Sequence, residues 1–207
     1  SAQITKLAKS INNKVLLSGE GADEIFFGYD RMVKTLKELN NSTDFKTKFN
    51  KIYFGSNFKN KEFIDSILIN KSDNIDESDV YLFLEKHNEL ELFDLILIFF
   101  QKYKIQTHLY RLDITSAMNS IEYRCPFLSP RLMTFVNNLD NKYKFNETDN
   151  YTKILLRNYL NKKIPNKLIN NKIKNGWEVN INDLILSKNK YFKNYFFNLI
   201  NEKNSFS

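Results

Sequence analysis

Three carboxylates lie close together beside a short turn that contains two glycines. The stretch VLLSGEGADEIFFGYDR, residues 15–31, places Glu20 between the glycines and places Asp23 and Glu24 directly after them. The apolar start of the stretch is typical of a buried strand, and its acidic, aromatic end is typical of a helix. Amide groups at a helix start favour anions, so Asp23 and Glu24 either cap this helix or take part in chemistry.

The two glycines make the turn suitable for a phosphate group. Gly19 and Gly21 let the backbone approach a ligand closely or adopt a positive φ, and the following helix would direct N–H groups towards the loop. The P-loop pattern GxxxxGK[ST] is absent. Carboxylates beside a polyphosphate call for a divalent cation, and Mg²⁺ is usually held by one or two carboxylates and phosphate oxygens. Asp23 is therefore a candidate magnesium ligand, and Glu20 is a candidate base.

A second candidate group lies in the stretch YTKILLRNYL. Lys153 and Arg157 are one helical turn apart and share a stripe with Leu156 and Leu160. Lys153 would lie in the first turn of this helix, where the helix dipole disfavours a positive charge. This placement indicates either a functional role for the charge or a lysine whose stem covers apolar surface.

A third group of charges surrounds the small residues of Ser116–Ser120. Arg111 and Asp113 precede this segment, and Glu122 and Arg124 follow it. The alternating signs predict ion pairs that hold a buried helix in place.

The composition favours helices, because 207 residues contain only five glycines and three prolines. A helix is predicted over residues 2–11 and a buried strand over 14–17, and together with the glycine loop they resemble one unit of a parallel α/β sheet. Apolar residues at helical spacing predict further helices. The stretch 92–103 is apolar on two sides and is expected to be buried. The other helices are indicated by Ile25, Tyr29, Met32, Val33 and Leu36; by Leu132, Phe135, Val136 and Leu139; and by Tyr191, Phe192, Tyr195, Phe196, Leu199 and Ile200. The polar stretch 70–78 predicts a surface loop.

The bulk properties exclude several classes of protein. The chain is 42% hydrophobic and 27% charged, which is typical of a globular protein, and it has no apolar run of about 18 residues to span a membrane. It starts at Ser1 without a secretory signal, and its single Cys125 has no partner for an internal disulfide. A cytoplasmic location is expected. The net charge of +7 would attract polyanions, but the lysines are scattered, so no specific nucleic-acid or membrane partner is expected.

These stretches together resemble the synthetase domain of glutamine-dependent asparagine synthetases. The family patterns S-G-[ED]-G-x-D-E and L-x-R-x-D-x-x-S-M-A-x-S-x-E-x-R-x-P-F-L-D appear as LLSGEGADEIFFGYDR and LYRLDITSAMNSIEYRCPFLS. Later elements of the family appear as KILLR, IPNKLI and KIKNGW, so that the match runs from near Ser1 to about Ile185. The resemblance implies an α/β fold, in which the edge of a parallel, PP-loop ATPase-like nucleotide-binding sheet precedes a mainly α-helical region. Residues 1–207 would form the C-terminal part of one synthetase domain.

The resemblance also implies a reaction. ATP would adenylate the side-chain carboxylate of aspartate, and ammonia would then displace AMP to give asparagine. Asp23 would help to hold Mg²⁺ and pyrophosphate, Glu20 would take a proton from the attacking ammonia, and Lys153 would neutralise developing negative charge. The nucleotide would contact Ser18, Gly19 and Gly21.

Several departures from the family pattern leave alternatives open. The pyrophosphate-binding loop S-G-G-x-D-S and the N-terminal cysteine glutaminase domain are not among the 207 residues, so the chain alone is expected to be inactive, with ammonia coming from such a domain or from a partner. Phe27 replaces a glycine and would narrow the substrate pocket. In addition, Ala117-Met118 inverts the Met-Ala pair of the family, Ser129 replaces an aspartate, and Asn180 stands where a proline is common. The alternatives are a synthetase that amidates or cyclises another carboxylate (a peptide, a sugar acid or a β-amino acid) and a non-catalytic remnant that binds a partner. The related β-lactam-forming synthetases show a similar pattern with a tyrosine in the place of Glu20. A glutamate at this position therefore favours external ammonia as the nucleophile.

Overall fold

The computed structural model describes residues 2–41, 43–54, 79–161, 163–169 and 194. The chain divides into two compact units, Ser1–Ile169 and Asn170–Ser207, and every element given below belongs to the first. The predicted loop 70–78, the KIKNGW motif and Asn180 lie outside the described residues, and so does the predicted C-terminal helix 191–200 apart from residue 194. No helix in the described part of the chain has both the length and the apolar character that crossing a bilayer requires.

A small parallel sheet follows the first helix. Helix α1 (Ala2–Ser10) leads into β1 (Val15–Leu17), which pairs in parallel with β2 (Glu122–Arg124) in the register Val15↔Glu122, Leu16↔Tyr123 and Leu17↔Arg124. Nearly every other element is helical, which confirms the prediction of an α/β chain that is mostly α.

Strand β1 is present where it was predicted, but it is not buried. Val15 is 39% exposed and Leu17 is 75% exposed. Within the described residues β1 pairs only with β2, so no second neighbouring strand shields it. An apolar sequence favours burial of a parallel strand, but burial itself depends on covering layers that this part of the chain does not supply.

The helix predicted after the glycine loop is divided into two. Helix α2 (Ala22–Ile25) stops after four residues, and α3 (Asp30–Glu38) begins after a bend at residues 26–29. In this bend Phe27 has a φ of 54°, in the left-handed region that residues with a side chain rarely adopt. The Gly28 N–H donates to the Asp23 carbonyl at 2.8 Å and thereby ends the first helix.

The left-handed bend places Phe27 in the main core. Its side chain is completely buried, and its ring stacks on Phe93 with 4.0 Å between ring centroids. The prediction that Phe27 narrows the substrate pocket is therefore wrong, because its ring packs in the core. A tertiary contact of this kind leaves no mark in the local sequence.

The remaining helices enclose this core. They are α4 (Phe45–Phe54), α5 (Asp79–Lys86), α6 (Leu92–Phe99) and α7 (Ile105–Ala117), with a π-helical segment, Phe100–Lys104, joining the last two. Helix α6 is buried on both sides, as predicted. The wider π turn forms where the Ile105 N–H donates to the Phe100 carbonyl five residues earlier.

The charged residues around Ser116–Ser120 do not hold a buried helix, contrary to the prediction. Glu122 and Arg124 pair with each other at 2.9 Å on strand β2, where both side chains are about 60% exposed. Two residues apart on a strand, they project from the same face. An exposed pair of this kind contributes little to stability, because water screens the two charges. Arg111 instead donates to the ring of His108, at 2.8 Å.

The last described elements lead to Lys153. A 3₁₀ turn, Pro126–Leu128, precedes α8 (Pro130–Asn137), which confirms the predicted helix around Val136. After a second 3₁₀ turn, Asn141–Tyr143, strands β3 (Phe145–Asn146) and β4 (Tyr151–Thr152) form an antiparallel hairpin. Helices α9 (Ile154–Leu160) and α10 (Asn166–Ile169) follow.

Replacing Phe27 tests the packing of this core. Phe27→Ala is expected to lower the free energy of unfolding by roughly 3–5 kcal/mol, because a buried aromatic ring is lost and the left-handed φ is retained. The matched control is Phe135→Ala on α8, whose side chain is 56% exposed and whose loss should cost under about 1 kcal/mol. Urea denaturation measures both, and equal losses would contradict the assigned core.

Candidate active site

The glycine loop, residues 18–21, connects β1 to α2 at the end of the parallel sheet. The Ser18 N–H donates to the Arg124 carbonyl at 2.8 Å and so continues the pairing of β1 with β2. Gly21 has a φ of 96°, and a Cβ added there would lie 2.4 Å from Leu128 Cδ2. A glycine is therefore required at this position for both its backbone angle and its close packing.

Two amide groups at the glycine loop donate hydrogen bonds within the loop. The Glu20 N–H donates to the Ser18 hydroxyl at 3.3 Å, and the Ala22 N–H donates to the Gly19 carbonyl at 3.3 Å. These two N–H groups therefore stabilise the loop itself. A Cβ built at Gly19 meets no heavy atom within 4 Å, so the space beside Gly19 is open to a ligand.

Asp23 and Lys153 form an ion pair across this region. Lys153 Nζ lies 3.0 Å from Asp23 Oδ1, and both side chains are about one quarter exposed. Lys153 is the N-cap of α9, one residue before the predicted first turn, and it has a left-handed φ of 56°. The carboxylate of Asp23 offsets the cost of a cation at a helix start.

Gly28 makes this contact possible. A Cβ at Gly28 would lie 2.2 Å from Asp23 Oδ1 and 2.3 Å from Lys153 Cε. The backbone also joins the two segments, because the Lys153 N–H donates to the Phe26 carbonyl at 3.2 Å. The bend between α2 and α3 thus supports the ion pair directly.

Arg157, which was grouped with Lys153 from the sequence, has a separate structural role. Its Nε donates to the Thr152 carbonyl at 2.9 Å, and its Nη1 donates to the Ile169 carbonyl. Its guanidinium also lies 5.0 Å from the centre of the Tyr151 ring. Arg157 therefore ties the KILLR motif to the end of the IPNKLI motif.

Glu20 lies on the other side of the loop, near His108 of α7. Glu20 Oε2 is 3.8 Å from His108 Nδ1, and the Glu20 side chain is 29% exposed. Because Arg111 Nη2 lies 2.8 Å from this same Nδ1 atom, the nitrogen accepts a hydrogen bond from the guanidinium. Glu20 is thus accessible and faces an imidazole that is itself oriented by a cation.

Glu24 is buried, although the sequence suggested a cap at the helix start. Its side chain is 1% exposed and accepts a 2.8 Å hydrogen bond from the Tyr29 hydroxyl. Burial raises the pKa of Glu24, and the hydrogen bond from Tyr29 opposes this rise. Burial and the neighbouring Glu24 carboxylate raise the pKa of Tyr29.

Cys125 borders the glycine loop, close to Ser18 and Glu20. The thiol is partly buried and interacts with the Ser18 hydroxyl. Burial first, and then the charge of Glu20, raise the pKa of Cys125. The thiol is therefore held in its protonated form beside the loop.

Three of the sequence motifs meet at this site. The first supplies the loop and Asp23, the second supplies Leu128 against Gly21, and the third supplies Lys153. His108, Tyr29 and Gly28 also border the site, although the sequence did not predict them as its neighbours. Tyr29 and Gly28 lie in the first motif, and this position is the sequence signal that could have identified them as site residues. Nothing in the local sequence marks His108.

One carboxylate at this position suits a magnesium ion whose remaining ligands are phosphate oxygens. Asp23 is partly exposed, as such a ligand must be. Within the described ranges, no group of three or more His, Cys, Asp or Glu side chains is placed to hold a metal. The donor set therefore fits Mg²⁺ that arrives with a polyphosphate better than a metal bound by the protein alone.

Replacing Gly28 tests the support of the ion pair. In Gly28→Ala the new methyl group would overlap Asp23 and Lys153, so we expect a loss of about 1–3 kcal/mol of stability, measured by urea denaturation. Gly19→Ala is the matched control, because its methyl group has open space. A Gly28 variant as stable as the Gly19 variant would contradict the close packing described here.

Replacing Glu24 tests its burial. Because its pKa in the folded state is raised above its ordinary value of 4.5, the folded chain binds a proton more readily than the unfolded chain. Glu24 therefore contributes stability at low pH that is lost as the pH rises from 4.5 through the folded pKa. Glu24→Gln should remove this part of the pH dependence, measured as unfolding free energy between pH 4 and 8. An unchanged pH profile would refute the assignment.

Comparison with known proteins identifies the family. No curated protein and no solved structure matches the chain significantly. The family model described as asparagine synthase matches residues 2–205, nearly the whole sequence, and it includes the loop, the second motif and Lys153. The chain therefore belongs to the asparagine synthase family of ATP-dependent, amide-forming ligases.

Proposed function

We propose that this chain supplies part of the active site of an enzyme that makes asparagine from aspartate, ATP and ammonia. The observation that carries the proposal is the ion pair between Asp23 and Lys153 beside the open glycine loop. Asp23 is an acid that can approach a metal, and Lys153 is a partly exposed cation. Both suit a reaction in which the adenylyl group of ATP is transferred and pyrophosphate leaves.

The nucleotide would bind along residues 18–21. The open space beside Gly19 admits a phosphate or ribose close to the backbone, and Ser18 and Gly21 fix the shape of the loop. Asp23 would hold Mg²⁺, which neutralises the pyrophosphate leaving group.

In the first step an oxygen of the aspartate side-chain carboxylate attacks the α-phosphorus of ATP. The bond from this phosphorus to the pyrophosphate breaks, and an acyl-AMP forms. Lys153 Nζ would contact the phosphate oxygens and reduce the repulsion between the carboxylate and the nucleotide. Asp23 keeps this ammonium in place until substrates arrive.

In the second step ammonia attacks the acyl carbon, and AMP leaves with the former carboxylate oxygen. Glu20 would take a proton from the nitrogen as the tetrahedral intermediate forms. Its exposure and its place beside His108 support this role. Lys153 would stabilise the negative oxygen of the intermediate.

The exposed strand β1 supports the view that this chain is one part of a larger nucleotide-binding domain. Apolar side chains of α1 and β1 are exposed on the described surface, among them Leu7 at 63% and Leu17 at 75%. Burying such surface is worth about 25 cal/mol for each Å². A PP-loop segment would pair with β1 and complete the ATP site, and a glutaminase domain or partner would supply ammonia. We place the enzyme in the cytoplasm.

One observation that favoured a substrate other than aspartate does not hold in the structure. Phe27 was the residue that suggested a different substrate pocket, and it lies in the core. A non-catalytic remnant would have no need to keep Glu20, Asp23 and Lys153 around one loop. Aspartate is therefore the substrate we propose, ahead of a peptide, a sugar acid or a β-amino acid.

Replacing Glu20 separates the two chemical steps. In the full-length protein, Glu20→Gln should lower asparagine formation by roughly 10²- to 10⁴-fold, because a general base is lost. Aspartate-dependent exchange of pyrophosphate into ATP should persist, because the first step does not use this base. Glu85→Gln, on the exposed side of α5, is the matched control. Undiminished asparagine formation in Glu20→Gln would exclude Glu20 as the base.

The 207-residue chain by itself tests the proposed division of the ATP site. We expect no aspartate-dependent exchange of pyrophosphate into ATP, because the pyrophosphate-binding loop is not in this sequence. Measurable exchange by the isolated chain would contradict the division.

A further inference from the structure

A cavity of about 380 Å³ lies between α3, the end of α4 and the π-helical segment. Two cations, Arg31 and Lys104, line it together with Thr107 and the aromatic side chains of Tyr53, Phe99 and Tyr103. None of the loop residues 18–21, Asp23 or Lys153 contributes to its wall. It is therefore separate from the candidate active site.

Only some of the N–H groups of Arg31 donate hydrogen bonds to the protein. Its Nη2 donates to the carbonyls of Ile52 and Tyr53, at 2.8 and 2.6 Å, and thereby caps the last turn of α4. Its Nε is buried and has no hydrogen-bond partner. A buried donor without a partner is unfavourable, so capping alone does not explain this side chain.

Lys104 adds a second positive charge to the same cavity. It is partly buried, and its Nζ lies 6.0 Å from the centre of the Phe99 ring. Among the described residues no carboxylate forms an ion pair with Arg31 or Lys104. Burial lowers the pKa of both groups, and the charge of Arg31 lowers the pKa of Lys104 further.

Two partly buried like charges destabilise the fold unless an anion joins them, and no described carboxylate pairs with either of these two. A phosphate group carries a charge of about −1.5 to −2 and so balances both cations, whereas a single carboxylate balances only one. The cavity is larger than a phosphate ion, and its aromatic walls would accept an organic group.

We propose that the Arg31–Lys104 cavity binds the phosphate group of inorganic phosphate or of a small phosphate monoester. The guanidinium and the ammonium contact the phosphate oxygens, and the side chains of Tyr53, Phe99 and Tyr103 contact any organic portion. The ligand binds apart from the substrates of the proposed reaction.

The test is a calorimetric titration of the full chain with inorganic phosphate at constant ionic strength. Wild type should bind phosphate saturably, and Lys104→Gln should weaken binding by about tenfold or more, because a charge-assisted contact is lost. The matched control is Lys102→Gln on the same π-helical segment, whose Nζ lies over the Phe83 ring outside this cavity and whose loss should leave binding unchanged. Lys104 is preferred to Arg31 because Arg31 also caps α4.

Three further measurements decide the outcome. Phenyl phosphate should compete with inorganic phosphate and bind more tightly if the aromatic walls take part, whereas acetate should bind more weakly than either. Absence of saturable phosphate binding, or equal affinities of wild type and Lys104→Gln, would overturn the proposal. Phosphate binding that is lost in Lys153→Gln and kept in Lys104→Gln would assign the ion to the candidate active site and would also overturn it.

Discussion

The contact between Asp23 and Lys153 across Gly28 is the constraint on which the site depends. It joins segments that are far apart in the sequence, and the backbone beside it is left-handed at both Phe27 and Lys153. Each such conformation costs roughly 1–2 kcal/mol for a residue with a side chain. The burial of the Phe27 ring and the ion pair offset these costs. The core and the candidate active site are therefore stabilised by the same bend.

Helical periodicity predicted the regular elements well and the bend not at all. Stretch 92–103 has apolar residues on two sides, so the burial of α6, its first part, could be inferred from the sequence alone. Ile25 and Met32 keep helical spacing on either side of the bend, and local periodicity therefore indicates one continuous helix. The break arises from the stacking of Phe27 on Phe93, a contact between distant residues. The exposure of Leu17 likewise depends on neighbouring strands and not on its own sequence.

The residue types of the candidate site were predictable from the motifs, but their mutual geometry was not. Glu20, Asp23 and Lys153 were singled out from charge and position, and their catalytic roles stay predictions. Three contacts follow only from the fold: Asp23 pairs with Lys153, Glu24 is buried under Tyr29, and Glu20 faces His108. Each of these contacts joins residues whose individual sequence signals are compatible with a surface role.

The most direct test of the proposed chemistry follows the carboxylate oxygen of the substrate. Aspartate labelled with oxygen-18 in its side-chain carboxylate is incubated with ATP, ammonia and the full-length protein, and the products are examined by mass spectrometry. The proposed mechanism predicts one labelled oxygen in AMP for each asparagine formed, because AMP leaves with the oxygen that attacked the α-phosphorus. Label in inorganic phosphate together with ADP, or asparagine formed without labelled AMP, would contradict it.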